Sequence, residues 1–532
     1  MLGLGKVLGS PKPFCAKALL SGAMAVRRHT AAVEKQGKAL LATLRPDDKV
    51  LVLITRNYGV SDPILNMGIP ELLLERGYKV ITLSHLPGHA LDISDEYDNL
   101  YYPFGQHILS GAKLIAHHPN LYAVYLTNHG CGPDTMLSHL FKQEMGDKPY
   151  LQIEVDEHFS NVGVITRIEA FLNSLNHRPV EVLPKDFVLE QVDIRPCHLP
   201  AVPEKDFPLW LPPLGEYTAS LTGYFRAQGV DAHALPHLSA HALSLGRAET
   251  SAKEYLPFPA LLGGILAQQE ADLAPAQFLI PQTQGAEADG QYARVIRAVL
   301  DRRGNQSAKL VSPMLETLPA TAQDRDALFR ALLAGDILYA ALAAMRAGIA
   351  AAWDALPGWA QLHKAAAEIG RCPATGRRLA AVGTPLCLTE LDSGVLSTLE
   401  AEGSQLLRAP LSEALWFLWK DNMDTNKPCA KWLEQMAQEM QTIGAELGTH
   451  SAFAQDTAAL FETADTALPH FAGGNGRYRY AKAVELSGRA DAVLTLAPRY
   501  ENAAMILDMR GLRDACNAPL FQLSLDNDWD ET

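Results

Sequence analysis

The chain has 532 residues, of which 48% are hydrophobic and 20% charged, a balance that excludes a disordered or fibrous protein and calls for two to four lobes of ~100–200 residues. Its formal charge of -14 and sequence pI near 5.7 leave no basic footprint for DNA or RNA. The seven cysteines are scattered singly, with no CxxC, ferredoxin or zinc-ribbon spacing, which fits a reducing cytoplasm better than a disulfide-stapled secreted fold.

The opening stretch "MLGLGKVLGSPKPFCAKALLSGAMAVRR" is apolar and basic. Lys6, Pro11, Lys12, Pro13 and Lys17 interrupt any signal-peptide core, so residues 1–47 read as a short helical lead-in, with a targeting segment as the alternative. Nothing later approaches the ~20 uninterrupted apolar residues of a membrane span.

From residue 49 a short apolar strand alternates with an amphipathic helix: "KVLVLIT", "ILNMGIPELLLERG" closed by Gly77, "YKVITL", "GQHILSGAKLIAHH", "LYAVYLT", "DTMLSHLFKQEMG", "PYLQIEV" and "VGVITRIEAFLNSL". That alternation predicts a parallel sheet covered on both faces, so residues 48–200 form a first Rossmann-like βα lobe. Between 195 and 214 the six prolines of "RPCHLPAVPEKDFPLWLPPL" resist both helix and central strand and mark a boundary. A second βα lobe over 201–370 follows, with "GEYTASLTGYFRAQG" as helix, "AQFLIPQ" as strand, "QYARVIRAVLDRRG" as helix and the alanine-rich "DALFRALLAGDILYAALAAMRAGIAAAWDAL" as one long helix. The third lobe, 371–532, resumes at "RRLAAVGT" and ends with "DAVLTLA" and "PLFQLSL". The fold class is therefore α/β, several Rossmann-like lobes built on parallel sheets.

In such sheets ligands bind beyond the carboxyl ends of the strands, where helix N-termini offer unpaired N–H groups. "RNYGVSD", "HLPGHALD", "NHGCGPDT" and "DEHFSN" fall on that edge in the first lobe. Gly130 and Gly132 give Cys131 room in a tight turn, and Asp134 can cap the helix that follows, whose dipole favours a thiolate. Cys131 reads as a metal ligand, a reactive thiol or a small turn residue. In "VDEH" the two-residue period sends Asp156 and His158 to one side and Glu157 to the other, so the three cannot share one metal on an unbroken strand. "AGGNGRYRY", with Arg477 and Arg479, is either a phosphate cradle or a plain loop before a helix. No GxGxxG, Walker A or GxSxG stretch occurs.

"RNYGVSDPILNMGIPELLLERGYKVITLSHLP", "YYPFGQHILSGAKLI" and "LYAVYLTNHGCGPDTMLSHLFKQEMGDKPYLQIEVDEHFSNVGVITRIEAFLNSL" resemble the 2-hydroxyacyl-CoA dehydratase superfamily, in particular the dehydratase-like portion of its large activase-fused proteins. Fragments such as "LGRAETSAKEYLPF", "QTQGAEADGQY" and "DAVLTLAPRYENAAM" keep the family's order. The resemblance implies low-potential iron–sulfur chemistry of anaerobic metabolism, in which an ATP-dependent activase feeds electrons to clusters held by cysteines of separate lobes. It also implies four cysteine motifs. The first survives as Cys131; Tyr255, Glu287 and Glu501 stand at the other three thiol positions, with Asp134, Asp156, Glu157 and His158 as possible site-lining residues.

A 4Fe–4S cube is held by about four thiolates, whereas Tyr and Glu are hard oxygen donors suited to Mg²⁺, Ca²⁺ or Mn²⁺. A standard 4Fe–4S cluster is therefore not expected in this chain alone, and Cys387 in "GTPLCL" is the candidate substitute thiol. The resemblance leaves two readings. One is a non-catalytic or accessory cytoplasmic subunit, with no catalytic residue of its own, paired with a cysteine-complete paralogue or the ATP-dependent activase as a dimer or hetero-oligomer. The other is an electron-transfer or reductase-type protein holding a cofactor in an unusual shell of Cys131, Tyr255, Glu287 and Glu501.

Overall fold

In the computed structural model the described residues are 2–128, 132–155, 160–179, 183–184, 187–251, 253–353, 356–374, 376–392, 394–470, 475–499, 501, 507 and 511–526. They form three four-stranded sheets, every strand pair parallel, with helices between the strands. This is the α/β architecture that the strand–helix alternation demands. Each sheet repeats one order. The first runs β2-β1-β3-β4, the second β6-β5-β7-β8 and the third β10-β9-β11-β12.

The first sheet uses β1 (Val50–Ile54), β2 (Lys79–Thr82), β3 (Leu121–Asn128) and β4 (Leu151–Val155). All five residues of β1 are buried, as a central strand covered on both faces requires. The helix expected from Ile64 begins only at Ile69 (Ile69–Glu75), because Met67 and Gly68 both take left-handed backbone, φ 57° and 64°, that a right-handed helix cannot include. The N-terminal lead-in also differs from expectation. It holds a 30-residue helix, Lys12–Leu41, rather than a short one. Pro11 and Pro13 sit at its start, where the missing N–H groups cost nothing.

The second sheet uses β5 (Leu209–Leu211), β6 (Ala232–Ala234), β7 (Ala276–Leu279) and β8 (Ala308–Val311). β5 lies inside the proline-rich stretch and is a central strand, a correction to the sequence reading. It fits because it is only three residues long, between Pro208 and Pro212, so neither proline is asked to donate within it. Buried Gln277 on β7 guides the chain into it: its Nε2 donates to the carbonyls of Glu204 (2.8 Å) and Phe207 (3.0 Å), and its Oε1 accepts from the Glu204 N–H (2.8 Å). The alanine-rich segment is two helices, Arg325–Ala340 and Ala343–Ala351, because Ala341 and Leu342 turn extended at ψ 144°.

The third sheet uses β9 (Arg378–Gly383), β10 (Gln405–Arg408), β11 (Ala492–Pro498) and β12 (Leu520–Leu525). The chain divides into two compact units: residues 1–129 with 137–197, and residues 130–136 with 198–532. The second and third sheets share the second unit. There Asp336, buried on the Arg325–Ala340 helix, accepts from the Tyr217 hydroxyl (2.6 Å) and from the N–H groups of Leu411 (2.8 Å) and Ser412 (3.2 Å), which begin the Leu411–Asp421 helix. One carboxylate thus caps a helix of the third sheet from a helix of the second. No described helix is long and apolar enough to cross a membrane.

Candidate functional site

Three of the positions singled out in the sequence meet at the strand ends of the second unit. Tyr255 precedes the Pro257–Ala271 helix. Its turn is fixed by buried Glu254, whose carboxylate accepts from the N–H groups of Ser251 (3.0 Å) and Lys253 (3.0 Å). The helix itself is clamped to the Ala240–Ala248 helix through Gly263 and Gly246. A Cβ at Gly263 would overlap the Ala242 carbonyl, and one at Gly246 the Pro259 carbonyl. The ring of Tyr255 also lies against Gly132, where a Cβ would crowd the phenol oxygen.

Glu287 follows the carboxyl end of β7 and sits just before the tight turn Ala288–Gln291 that starts the Tyr292–Arg302 helix. Glu501 follows the carboxyl end of β11. Tyr255, Glu287 and Glu501 all line one cavity of about 310 Å³, together with Asp289 and Tyr292. The remaining wall is mainly apolar, with Tyr224, Phe225, Leu328, Leu332, Leu411 and Leu415 among its residues. A pocket outside the carboxyl ends of parallel strands is where α/β proteins place ligands.

The acids in this pocket are not equivalent. Glu501 is bound to Arg479 of the Gly476–Ser487 helix, Nη1 to Oε2 at 2.5 Å, and the guanidinium is 1% exposed. Arg479 also donates to the Leu496 carbonyl (3.3 Å) and to Asn475 Oδ1 (3.2 Å). Asp289 accepts from the Thr283 hydroxyl at 2.5 Å, yet burial still raises its carboxyl above the usual range. Glu287 is 9% exposed and receives no hydrogen bond from any described residue. Burial, then the charges of Glu501 and Asp289, push its carboxyl up to about 8. Burial alone would favour the neutral acid, and the two neighbouring carboxylates add to it.

An iron–sulfur cube does not fit these donors. Tyr255, Glu287 and Glu501 supply hard oxygens, and the Glu501 carboxylate is already committed to a guanidinium. Cys387 does not repair the set: it is fully buried in a short helix, Pro385–Thr389, and packs with Leu388, Leu391, Leu396 and Leu406. Burial pushes its thiol up to about 12, so it carries no thiolate at neutral pH. Among the described residues no three His, Cys, Asp or Glu side chains are arranged to hold a metal ion.

Cys131, Asp156, Glu157 and His158 lie outside the described residues. Asp134 is buried in the first turn of the Gly132–Met145 helix, where the helix dipole favours a carboxylate. The sequence reading missed Asp289, although it stands two positions after Glu287 in "GAEADGQY", and for "AGGNGRYRY" it left open a phosphate cradle or a plain loop before a helix; the helix Gly476–Ser487 begins there. Arg477 is paired with Asp421 (3.1 Å) and with Asp465, and Arg479 with Glu501, so both guanidinium groups already face carboxylates.

The parallel sheets and the strand-end cavity define an α/β protein with a ligand-sized, acid-bearing pocket. The comparisons narrow this at one end of the chain. Residues 1–86 match the family described as "CoA enzyme activase uncharacterised domain (DUF2229)", which relates the N-terminal helices, β1 and β2 to CoA enzyme activases. That match includes none of the cavity residues. No curated protein and no solved structure shows significant similarity to the chain.

Proposed function

We propose that the protein is an activase- and dehydratase-related subunit without its own iron–sulfur cluster, acting as a non-catalytic or accessory partner of a cysteine-complete paralogue or an ATP-dependent activase in the cytoplasm. One observation carries the reading. The three positions at which the resemblance puts cluster thiols converge on one cavity, and there they hold a tyrosine, a buried acid with no hydrogen bond from a described residue and a carboxylate tied to arginine. The convergence supports descent from a cluster-binding site, and the chemistry of the three groups supports its conversion to another use. The activase-type match over residues 1–86 agrees with a partner from the same system.

The test is iron and acid-labile sulfide analysis, with an absorption spectrum, on protein purified without oxygen. The expected result is a colourless protein with no stoichiometric iron that co-purifies with a cluster-bearing relative. Several irons per chain with a broad visible absorption band would overturn the proposal in favour of a cluster in an unusual shell. Stoichiometric Mn or Mg, lost in Glu287→Ala, would overturn it in favour of a hard-metal site.

A further inference from the structure

The cavity of the second unit has the size and lining of a small-molecule site. At about 310 Å³ it falls at the lower end of small-molecule sites. Its apolar lining draws on helices attached to both sheets of the unit: Leu221 from Tyr217–Ala227, Leu328 and Leu332 from Arg325–Ala340, and Leu411 and Leu415 from Leu411–Asp421. Among the described residues its lining carries three acids, Glu287, Asp289 and Glu501, and no basic side chain; Arg479, outside the lining, is bonded to Glu501. Two of the three acids are satisfied: Glu501 by Arg479, Asp289 by Thr283. The third is not. Glu287 is more than nine-tenths buried, lines the cavity and accepts no hydrogen bond from a described residue.

We propose that this cavity binds a small organic monocation, a primary ammonium group on a hydrocarbon body, with the ammonium held by Glu287 and the body among the leucines. The ligand chemistry follows from charge and geometry. An isolated carboxylate in an apolar pocket is costly, and the cost is removed by a cation that donates hydrogen bonds to it. An anionic ligand would lie among three acids with no basic side chain in the described lining to receive it, whereas a cation stabilises the ionised form of Glu287 that burial disfavours. A neutral alcohol brings no charge to stabilise an ionised Glu287, so it gains no charge-assisted hydrogen bond there. The rings of Tyr224, Phe225 and Tyr292 supply electron-rich walls that tolerate a nearby cation. Inorganic cations fit less well, because two of the three acids are already engaged and most of the wall offers no oxygen ligands.

This inference does not rest on the accessory role, and it stands or falls by its own measurement. Isothermal titration calorimetry of the full chain with n-hexylamine, n-hexanol and hexanoate reads it directly. The amine should bind about 10- to 100-fold more tightly than the alcohol, the ratio that a charge-assisted hydrogen bond in a protein interior supports, and hexanoate should bind most weakly. Glu287→Gln should reduce the amine to the level of the alcohol. Thr321→Trp, a change at an exposed residue on the cavity wall, should weaken both ligands and so locate the site even if the interior variant fails to fold. No binding of hexylamine, binding of hexanol or hexanoate as tightly as hexylamine, or amine affinity unchanged in either variant would overturn the proposal. Iron in the purified protein would overturn the accessory reading without predicting any preference among the three hexyl compounds.

Discussion

Arg479 and Glu501 stand 22 positions apart in sequence and form a buried ion pair whose two halves are worth more together than either is alone. Removing one partner leaves an uncompensated charge in a low-dielectric site, at a cost of about 3–5 kcal/mol, while replacing both with apolar residues is close to neutral. Arg479→Leu should therefore lower the urea midpoint sharply, and Arg479→Leu with Glu501→Leu should restore most of it. Equal losses in the single and double variants would contradict the pairing. Glu287 supplies a second test with a defined sign. Its carboxyl titrates at about 8 in the fold against 4.5 in the reference state, so over that interval the folded chain holds a proton that the unfolded chain has released. Stability is penalised progressively as pH rises from about 4.5 to about 8, by a few kcal/mol in total, and the penalty vanishes at lower pH. Glu287→Gln should accordingly melt higher than the parent near pH 8 and close to it near pH 5, read by thermal scans across the range. Individually these residues were legible, since Tyr255, Glu287 and Glu501 each sit in a recognisable stretch. Their meeting point was not, because strand order and lobe packing decide it, and a sequence window shows neither.

At the scale of single elements, most strands and helices announced themselves through hydrophobic period. The misses have local physical causes. Left-handed backbone at Met67 and Gly68 shortened one helix, an extended pair at Ala341 and Leu342 split another, and prolines concealed β5. Helix interiors also hide contacts that composition cannot report, and the Lys12–Leu41 helix shows this with two glycines. Gly22 is exposed with no atom near the place a Cβ would take, so Gly22→Ala should stabilise the protein by about 1 kcal/mol, the usual difference in helix propensity. Gly37 is buried, and a Cβ there would overlap the carbonyl oxygen of His85. That oxygen belongs to a tight turn, Leu83–His85, in which the His85 ring bonds back to Thr82. Gly37→Ala should destabilise by about 1–3 kcal/mol despite the better propensity. Chemical denaturation of the two variants gives opposite signs, and a gain for both would show that the helix moves freely at Gly37.

For the molecule as a whole, the sequence made the architecture plain: three rounds of strand and helix became three parallel sheets of the same order. What it did not reveal is that residues 130–136, embedded in the first round, belong with the compact unit formed by the later ones. Each unit has its own apolar core, one around Leu51, Val124 and Ile168, the other around Leu209, Phe329 and Trp416. Scanning calorimetry should therefore record a calorimetric enthalpy larger than the van't Hoff value, and equality of the two would show a single cooperative transition. The brevity of β5 has a last consequence, for assembly of the second sheet. Three residues offer little to reward an early encounter, and Gln277 on β7 must already be in place to grip the carbonyls of Glu204 and Phe207. The middle of that sheet is thus expected to act as a clasp that closes late, since the Gln277 side chain that holds its lead-in is not made until the chain has reached β7.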